Sequence, residues 1–451
     1  MIMSNPRVLV ICANPFSSQR NNGVTMRNLF RAWPRENLAQ IYIESATSLS
    51  PDFDVCQKYW KLSPWTVVRS HLGFNCWDEL PIYQKPDMPR PFTHTPYWRR
   101  FFMKVATFRR AVSFLEPARE LLFNSQSLVT PNLARWIKNF HPDLIYSMLG
   151  NNIIMRLATD VSSLAAIPII PHFLDDWPST QYEGSPFSKS LRSQMNHFIN
   201  QVLARSPIRL TICDAMAREY ELRYGGEFRV FGNSLDSSNF SQVPPPCQDT
   251  VQLTYVGGLH LNRWETLWQL GVCLQKLDRL GIKAKLKVFT FAESVQQFKE
   301  RLFMPPVLEL VGSLEQHEVS HVLCKSDILV HVESFREKDR KYARLSLSTK
   351  IPEYLMAGRC ILACGPAEAA SIQYVRDKQV GVALTTDDPR LIEEELGRLV
   401  SDRNLRASYG CRAREVGVES YENQRQSSKF QRCLTEVLLR SEKSGFARDS
   451  H

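Results

Sequence analysis

Residues 346–366, SLSTKIPEYLMAGRCILACGP, constrain the chain most, because one short run spells a helix, its stop and a buried strand. Ile351, Tyr354 and Leu355 mark an apolar helical face, Gly358 breaks it, and 360–364 is a continuous apolar run closed by Gly365-Pro366. A helix starting at Ser348-Thr349-Lys350 aims unpaired backbone N–H groups and the positive end of its dipole at whatever precedes it. That makes an anion site, to which Lys350 adds a mobile point charge suited to phosphate. Glu353, one turn in, is placed to accept hydrogen bonds from vicinal hydroxyls such as those of a ribose. A capped surface helix with a glutamate in its first turn has the same local pattern, so the neighbouring segments have to decide.

The same alternation runs through the chain. Residues 7–13 (RVLVICA) read as a first parallel strand buried on both faces. A loop and helix follow, and Gly23 at the helix start lets a ligand approach the backbone, although a single glycine in a turn is also ordinary structure. Strands at 143–149 and 166–170 flank a helix pattern at 152–164. The second leads into Pro171-His172-Phe173-Leu174-Asp175-Asp176, where chemistry collects in α/β sheets. Asp175 and Asp176 are suited to hold sugar hydroxyls or simply to cap the next turn, and nothing nearby completes a metal-ligand set. A strand at 209–213, a helix at 215–224 and a strand at 228–231 close the first half, and the proline-rich 241–250 (SQVPPPCQDT) reads as a linker. The second half restarts with a strand at 251–256 running into Gly257-Gly258, with Asn262-Arg263 opening a helix at 264–280. Arg263 alone is a solvated arginine; together with Lys350 from another strand-end loop it becomes a phosphate ligand. Strands at 283–291, 308–311, 327–332 and 380–384 and a closing helix at 421–440 finish the series.

With 451 residues, the chain is long for one core and comfortable for two. Its eleven cysteines are odd in number and lack CxxC or Cys/His ligand spacing, which argues for reduced thiols in a cytoplasm rather than a disulfide framework or a zinc site. No stretch approaches the roughly 20 apolar residues that span a bilayer, and 8–13 is too short for a signal peptide. A formal charge of +10 admits nucleic acid, an anionic membrane face or phosphorylated substrates. No nucleic-acid module is present in the sequence, so no nucleic-acid partner is expected. Residues 98–115 offer a membrane contact: Trp98, Phe101, Val105, Phe108 and Val112 share one helical face, with Arg99, Arg100, Lys104 and Arg110 elsewhere. The same stripe also describes a helix packed on its own domain. Residues 50–96 are rich in Pro, Trp and Tyr without periodicity and read as an insertion.

The segment 327–374, DILVHVES…SLSTKIPEYLMAGRCILACGPAEAASIQY, resembles the donor-binding half of bacterial GT-B fold glycosyltransferases and is similar to glycosyltransferase family 4. The likeness runs over 254–384 and is looser over the N-terminal half. It implies an α/β fold of GT-B architecture, with two Rossmann-like α/β/α domains facing a central cleft. The expected boundaries are an acceptor-side domain at 1–240, a linker at 241–250 and a nucleotide-sugar-binding domain at 251–420. A helix at 421–442 crossing back and a disordered tail at 443–451 complete the chain. In that family a glutamate five residues before a glycine holds the nucleotide ribose, as Glu353 stands to Gly358. Amides of the preceding loop hold the diphosphate there, which gives that role to Ser346, Leu347 and Ser348, with Thr349 beside them. The resemblance also places Arg263 and Gly258 by the pyrophosphate, Val311 and Gly312 at the base, Gly23 near the phosphates or acceptor, and His172 facing the transferred sugar. A further glutamate usual in the family falls on Leu345 here, and Glu333 looks like that residue displaced by a charged insertion at 336–344.

The resemblance implies a metal-independent glycosyltransferase in cell-surface polysaccharide assembly. It passes a sugar, with retention, from a nucleotide-diphospho sugar (a UDP-sugar favoured) to a glycan or lipid-linked acceptor. His172, Arg263 and Lys350 are the catalytic candidates, and no cofactor or metal is expected. The location implied is cytoplasmic, with peripheral contact at the inner membrane face. A nucleotide-sugar 2-epimerase would need more in-cleft acid/base groups than His172. A non-catalytic GT-B-like subunit that binds glycan or a partner draws its support from Leu345.

Overall fold

The computed structural model describes residues 5–17, 22–43, 51–62, 82–83, 127–240 and 249–443. The amphipathic stripe at 98–115, most of the insertion at 50–96, linker residues 241–248 and the tail from 444 lie outside the described residues. The chain divides into two compact units, Met1–Thr211 with Tyr220–Arg229 and Lys429–His451, and Ile212–Glu219 with Val230–Ser428.

In the first unit the strands are β1 (Val8–Cys12), β2 (Leu38–Ile43), β3 (Lys58–Leu62), β4 (Ile82–Tyr83), β5 (Leu144–Ser147), β6 (Ile169–Phe173), β7 (Arg209–Thr211) and β8 (Phe228–Val230). They form one sheet in the order β4-β3-β2-β1-β5-β6-β7-β8. The pairs from β3 through to β7 are parallel, and only β3–β4 is antiparallel among the described registers. The VLVIC run of β1 is buried at every position, as a central parallel strand requires. The sequence reading missed β2 and β3. Gln40 interrupts the apolar run of β2, yet it is fully buried because its amide accepts from Phe16 N at 2.9 Å and donates to Asn14 O at 3.1 Å. Those two bonds fix the loop that follows β1. In β3, KYWKL, lysines at the first and fourth positions hide a strand whose Tyr59 and Trp60 are buried.

The second unit holds β9 (Val251–Val256), β10 (Ala284–Phe289), β11 (Leu308–Gly312), β12 (Ile328–Val332), β13 (Cys360–Cys364) and β14 (Gly381–Leu384). Their order is β11-β10-β9-β12-β13-β14, and each neighbouring pair is parallel. Strand order therefore reverses between β9 and β12, and a doubly wound sheet opens its ligand crevice at the carboxyl ends flanking such a switch point. Ile328, Leu329, Val330 and Val332 of β12 are fully buried, each contributing roughly 1.5–3 kcal/mol through apolar burial. The helix Lys350–Ala357 ends at Gly358, whose φ of 65° closes it, and leads into β13. A second helix, Arg403–Tyr421, lies against it through small residues. A Cβ on Gly410 would sit 2.6 Å from Gly358 O, and one on Gly417 would sit 2.9 Å from the Leu355 carbonyl carbon. At seven residues' spacing both face the same helix, so backbone meets backbone there. The closing helix expected at 421–440 is preceded by this one: Arg403–Tyr421 and Asn423–Lys443 are separate helices, with Glu422 extended between them. Glu422 accepts a hydrogen bond from Ser237 N at 3.0 Å, which fixes the break.

Candidate functional site

At the switch point of the second unit, Arg263 opens the helix that follows β9 and Glu333 follows β12 directly. The two side chains meet in a two-pronged pair, with Nε to Oε2 at 3.0 Å and Nη2 to Oε1 at 3.1 Å. The Glu333 side chain is only 4% exposed against 18% for Arg263, so the carboxylate lies beneath the guanidinium. Neighbours fix both ends. Thr266 Oγ1 donates to Glu333 O at 2.9 Å, Glu333 N donates to Cys364 O at 2.8 Å, and Arg263 Nη1 lies 2.9 Å from His260 Nε2. His331 Nε2 lies 3.2 Å from Glu333 Oε1, in charge-pairing reach but out of hydrogen-bond alignment. Burial pushes the Glu333 carboxyl pKa up, and the His331 ring and Arg263 guanidinium outweigh it, leaving the group at about 2. Burial and the Arg263 charge lower the pKa of His260.

Lys350 and Glu353 stand in the first turn of Lys350–Ala357, on the loop side of β12. Lys350 Nζ lies 3.1 Å from Glu353 Oε2, the i,i+3 pairing that a helix surface favours. Glu353 is 8% exposed, while Thr349 is open to solvent. The backbone N–H of Ser348, expected to face a diphosphate, donates instead to Ser371 Oγ at 3.0 Å, and Lys350 N donates to Ser348 Oγ at 3.3 Å. The helix start therefore satisfies part of its own donor set. Ser346 Oγ is buried without a hydrogen-bond partner. Leu345, where the resembling family has a glutamate, is 4% exposed and packs as core.

Gly258 follows β9, and its carbonyl accepts from Tyr255 Oη at 2.7 Å. A Cβ there would stand 2.5 Å from the His260 ring and 3.7 Å from that of Phe291. Val311 and Gly312 end β11; Val311 is 45% exposed and Gly312 O accepts from Thr290 N at 2.9 Å. The carboxyl edge of this sheet thus carries Gly258, Arg263, Val311, Gly312, Glu333, Lys350 and Glu353 together.

The first unit treats its candidates differently. His172 is inside β6 rather than after it, fully buried, with Nδ1 2.7 Å from Tyr146 Oη. A side chain so enclosed belongs to the core in this state, which corrects its placement facing a sugar. Asp176 is also taken up internally. It accepts from Tyr220 Oη and from Arg223 Nη1, each at 2.9 Å, and its side chain is 3% exposed. Of the aspartate pair, Asp175 alone is exposed. Gly23 is the second residue of the helix Asn22–Phe30, and a Cβ there would stand 2.5 Å from Pro15 O. Its lack of a side chain serves that internal contact. Glu333, expected as a sugar contact, is withdrawn beneath Arg263 as described.

The sequence reading missed His260 and His331. His331 had a usable signal, since a residue two before Glu333 on an extended run shares its face. Among the described residues no group of three His, Cys, Asp or Glu side chains is gathered closely enough to hold a metal ion.

In sequence, no protein-family model and no curated protein matches this chain. Among solved structures, HepE of Anabaena in complex with UDP is similar with a TM-score of 0.61 and 10% identity, over 95% of this chain and 100% of that one. Sucrose-phosphate synthase of Thermosynechococcus elongatus is similar at TM-score 0.59 and 10% identity, over 96% and 100% of the two chains. The E. coli trehalose-6-phosphate protein bound with UDP-2-fluoro glucose follows at 0.57 and 12%, over 96% and 98%. At such identities the likeness is one of fold, and the fold is the GT-B architecture, built from two Rossmann-like α/β units.

Proposed function

We propose that this chain is a glycosyltransferase, similar to glycosyltransferase family 4, that takes a sugar from a nucleotide-diphospho sugar. A UDP-sugar is favoured as donor, a glycan or lipid-linked acceptor in cell-surface polysaccharide assembly as recipient, and retention as the stereochemical outcome. The observation that carries the reading is the carboxyl edge of the second sheet, where Arg263 and Glu333 span the switch point and Lys350 with Glu353 begins the helix that precedes β13. Solved structures of the same fold are complexes with UDP and with UDP-glucose, which supports the choice of donor.

In this reading Glu353 receives the ribose hydroxyls and thereby releases Lys350 to the phosphates. Arg263 and Lys350 supply fixed positive charge where the nucleoside diphosphate leaves, so the step needs no metal. Main-chain groups of Val311 and Gly312 meet the base, and exposed Asp175 meets the acceptor or sugar. No described helix is long and apolar enough to cross a membrane; a cytoplasmic location with peripheral contact through 98–115 remains part of the proposal. Leu345 in the core favours a second reading, a non-catalytic nucleotide- or glycan-binding subunit.

The test is a thermal-shift screen with UDP, GDP, ADP and their sugars, with magnesium or with EDTA. A native-state ligand raises the melting temperature by mass action. A shift with UDP that survives EDTA and is lost in Glu353→Ala supports the donor site, and sugar release or transfer then separates enzyme from subunit. No shift with any nucleotide refutes the proposal.

A further inference from the structure

An arginine carries five N–H donors, and Arg263 has three of them engaged: Nε and one Nη2 hydrogen on Glu333, and one Nη1 hydrogen against His260. One N–H on each terminal nitrogen is left. Glu333 cannot itself be the ligand contact, because it is 4% exposed beneath a guanidinium that is 18% exposed. Nor is it easily displaced, since a buried carboxylate deprived of its cation is strongly disfavoured. Its backbone is pinned as well, by Thr266 Oγ1 and by Cys364 O.

We propose that Glu333 is a positioning residue for Arg263, locking one edge of the guanidinium so that its remaining N–H groups are held for the phosphates of a nucleoside diphosphate. This rests on the donor-site reading above and adds a residue to it. A lysine at 263 would present a point charge with no edge to lock, whereas the planar arginine is oriented only if something holds its side. Orientation before binding removes the cost of ordering a long side chain when the ligand arrives. The carboxylate therefore acts through Arg263 and never touches the ligand.

The experiment is calorimetry with UDP and with uridine, on wild type, Glu333→Gln, Arg263→Ala and the double variant, well below all their melting temperatures. Glu333→Gln is expected to bind UDP about tenfold more weakly while uridine affinity stays within twofold. In the Arg263→Ala background the same substitution should change UDP affinity by less than twofold. Glu333→Asp, which keeps the charge and shortens the reach, should fall between wild type and Glu333→Gln, and serves if the glutamine variant does not fold. Equal loss of UDP and uridine would mean that Glu333 only maintains the fold and would overturn the inference. Unchanged or tighter UDP binding in Glu333→Gln would overturn it too, by showing indifference or competition for Arg263. Absence of any nucleotide binding in the wild type would instead remove the donor-site reading and this inference with it.

Discussion

Glu333 should leave a measurable mark on acid stability. Its carboxyl pKa falls from 4.5 to about 2 on folding. A depressed carboxyl pKa adds stability that is complete above the unfolded value and is lost as pH falls through the folded one. That lowering corresponds to roughly 3 kcal/mol, and the side chain is buried enough for solvent screening to be minor. Between pH 6 and pH 3 the unfolded carboxyl becomes almost fully protonated while the folded one stays mostly ionised. Linkage then removes about 2 kcal/mol of the contribution in that interval. For a unit of this size that is about 4–8 °C of melting temperature. Scanning calorimetry of wild type and Glu333→Gln at both pH values isolates the effect, because every other carboxylate is common to both proteins. The wild type should melt higher at pH 6, and the gap should contract by about 4–8 °C at pH 3. A gap that does not change with pH would refute the ion-pair argument, whatever its size.

Lys350→Ala should weaken UDP binding by about 2 kcal/mol, roughly thirtyfold; equal UDP titrations would refute the phosphate role. Asp176→Ala should cost the first unit about 3 kcal/mol by stranding the Tyr220 hydroxyl and removing the carboxylate paired with Arg223, read as a lower melting temperature, and an unshifted melt would show that the anchor is dispensable. Gly417→Ala places a methyl 2.9 Å from the Leu355 carbonyl carbon and should cost about 2 kcal/mol while displacing the helix that carries Glu353. Calorimetry with UDP should show both penalties together, and a stable variant with normal UDP affinity would contradict the close packing.

The strands of the second unit were legible because a parallel strand covered on both faces cannot alternate. CILAC at 360–364 carries that pattern in the sequence and falls on β13 at the same bounds. Where a strand bends that rule, reading failed. Buried Gln40 in β2 is satisfied by loop groups on either side of Pro15, a compensation no local window reveals. The first-unit site residues failed for a related cause. His172 and Asp176 have polar side chains near a strand end, which the sequence cannot distinguish from ligands. Only the tertiary partners Tyr146, Tyr220 and Arg223 show them enclosed.

The two cation–carboxylate pairs mark where legibility ends. Lys350 and Glu353 are three apart on one helix, so helical geometry alone brings them together. Arg263 and Glu333 are seventy residues apart, and nothing in either segment names the other. Their meeting depends on β12 lying beside β9, with β10 and β11 sent to the opposite side. That order is a property of the whole sheet, set by right-handed crossovers and helix packing rather than by the residues at the site. It converts an arginine that looks solvated, and a glutamate that looks like a displaced motif residue, into one buried unit with a fixed exposed edge. The consequence is that the phosphate-binding strength of this edge should follow the integrity of the β9–β12 junction. Thr266, whose hydroxyl joins the two strand-end segments at Glu333 O, is the smallest place to perturb it.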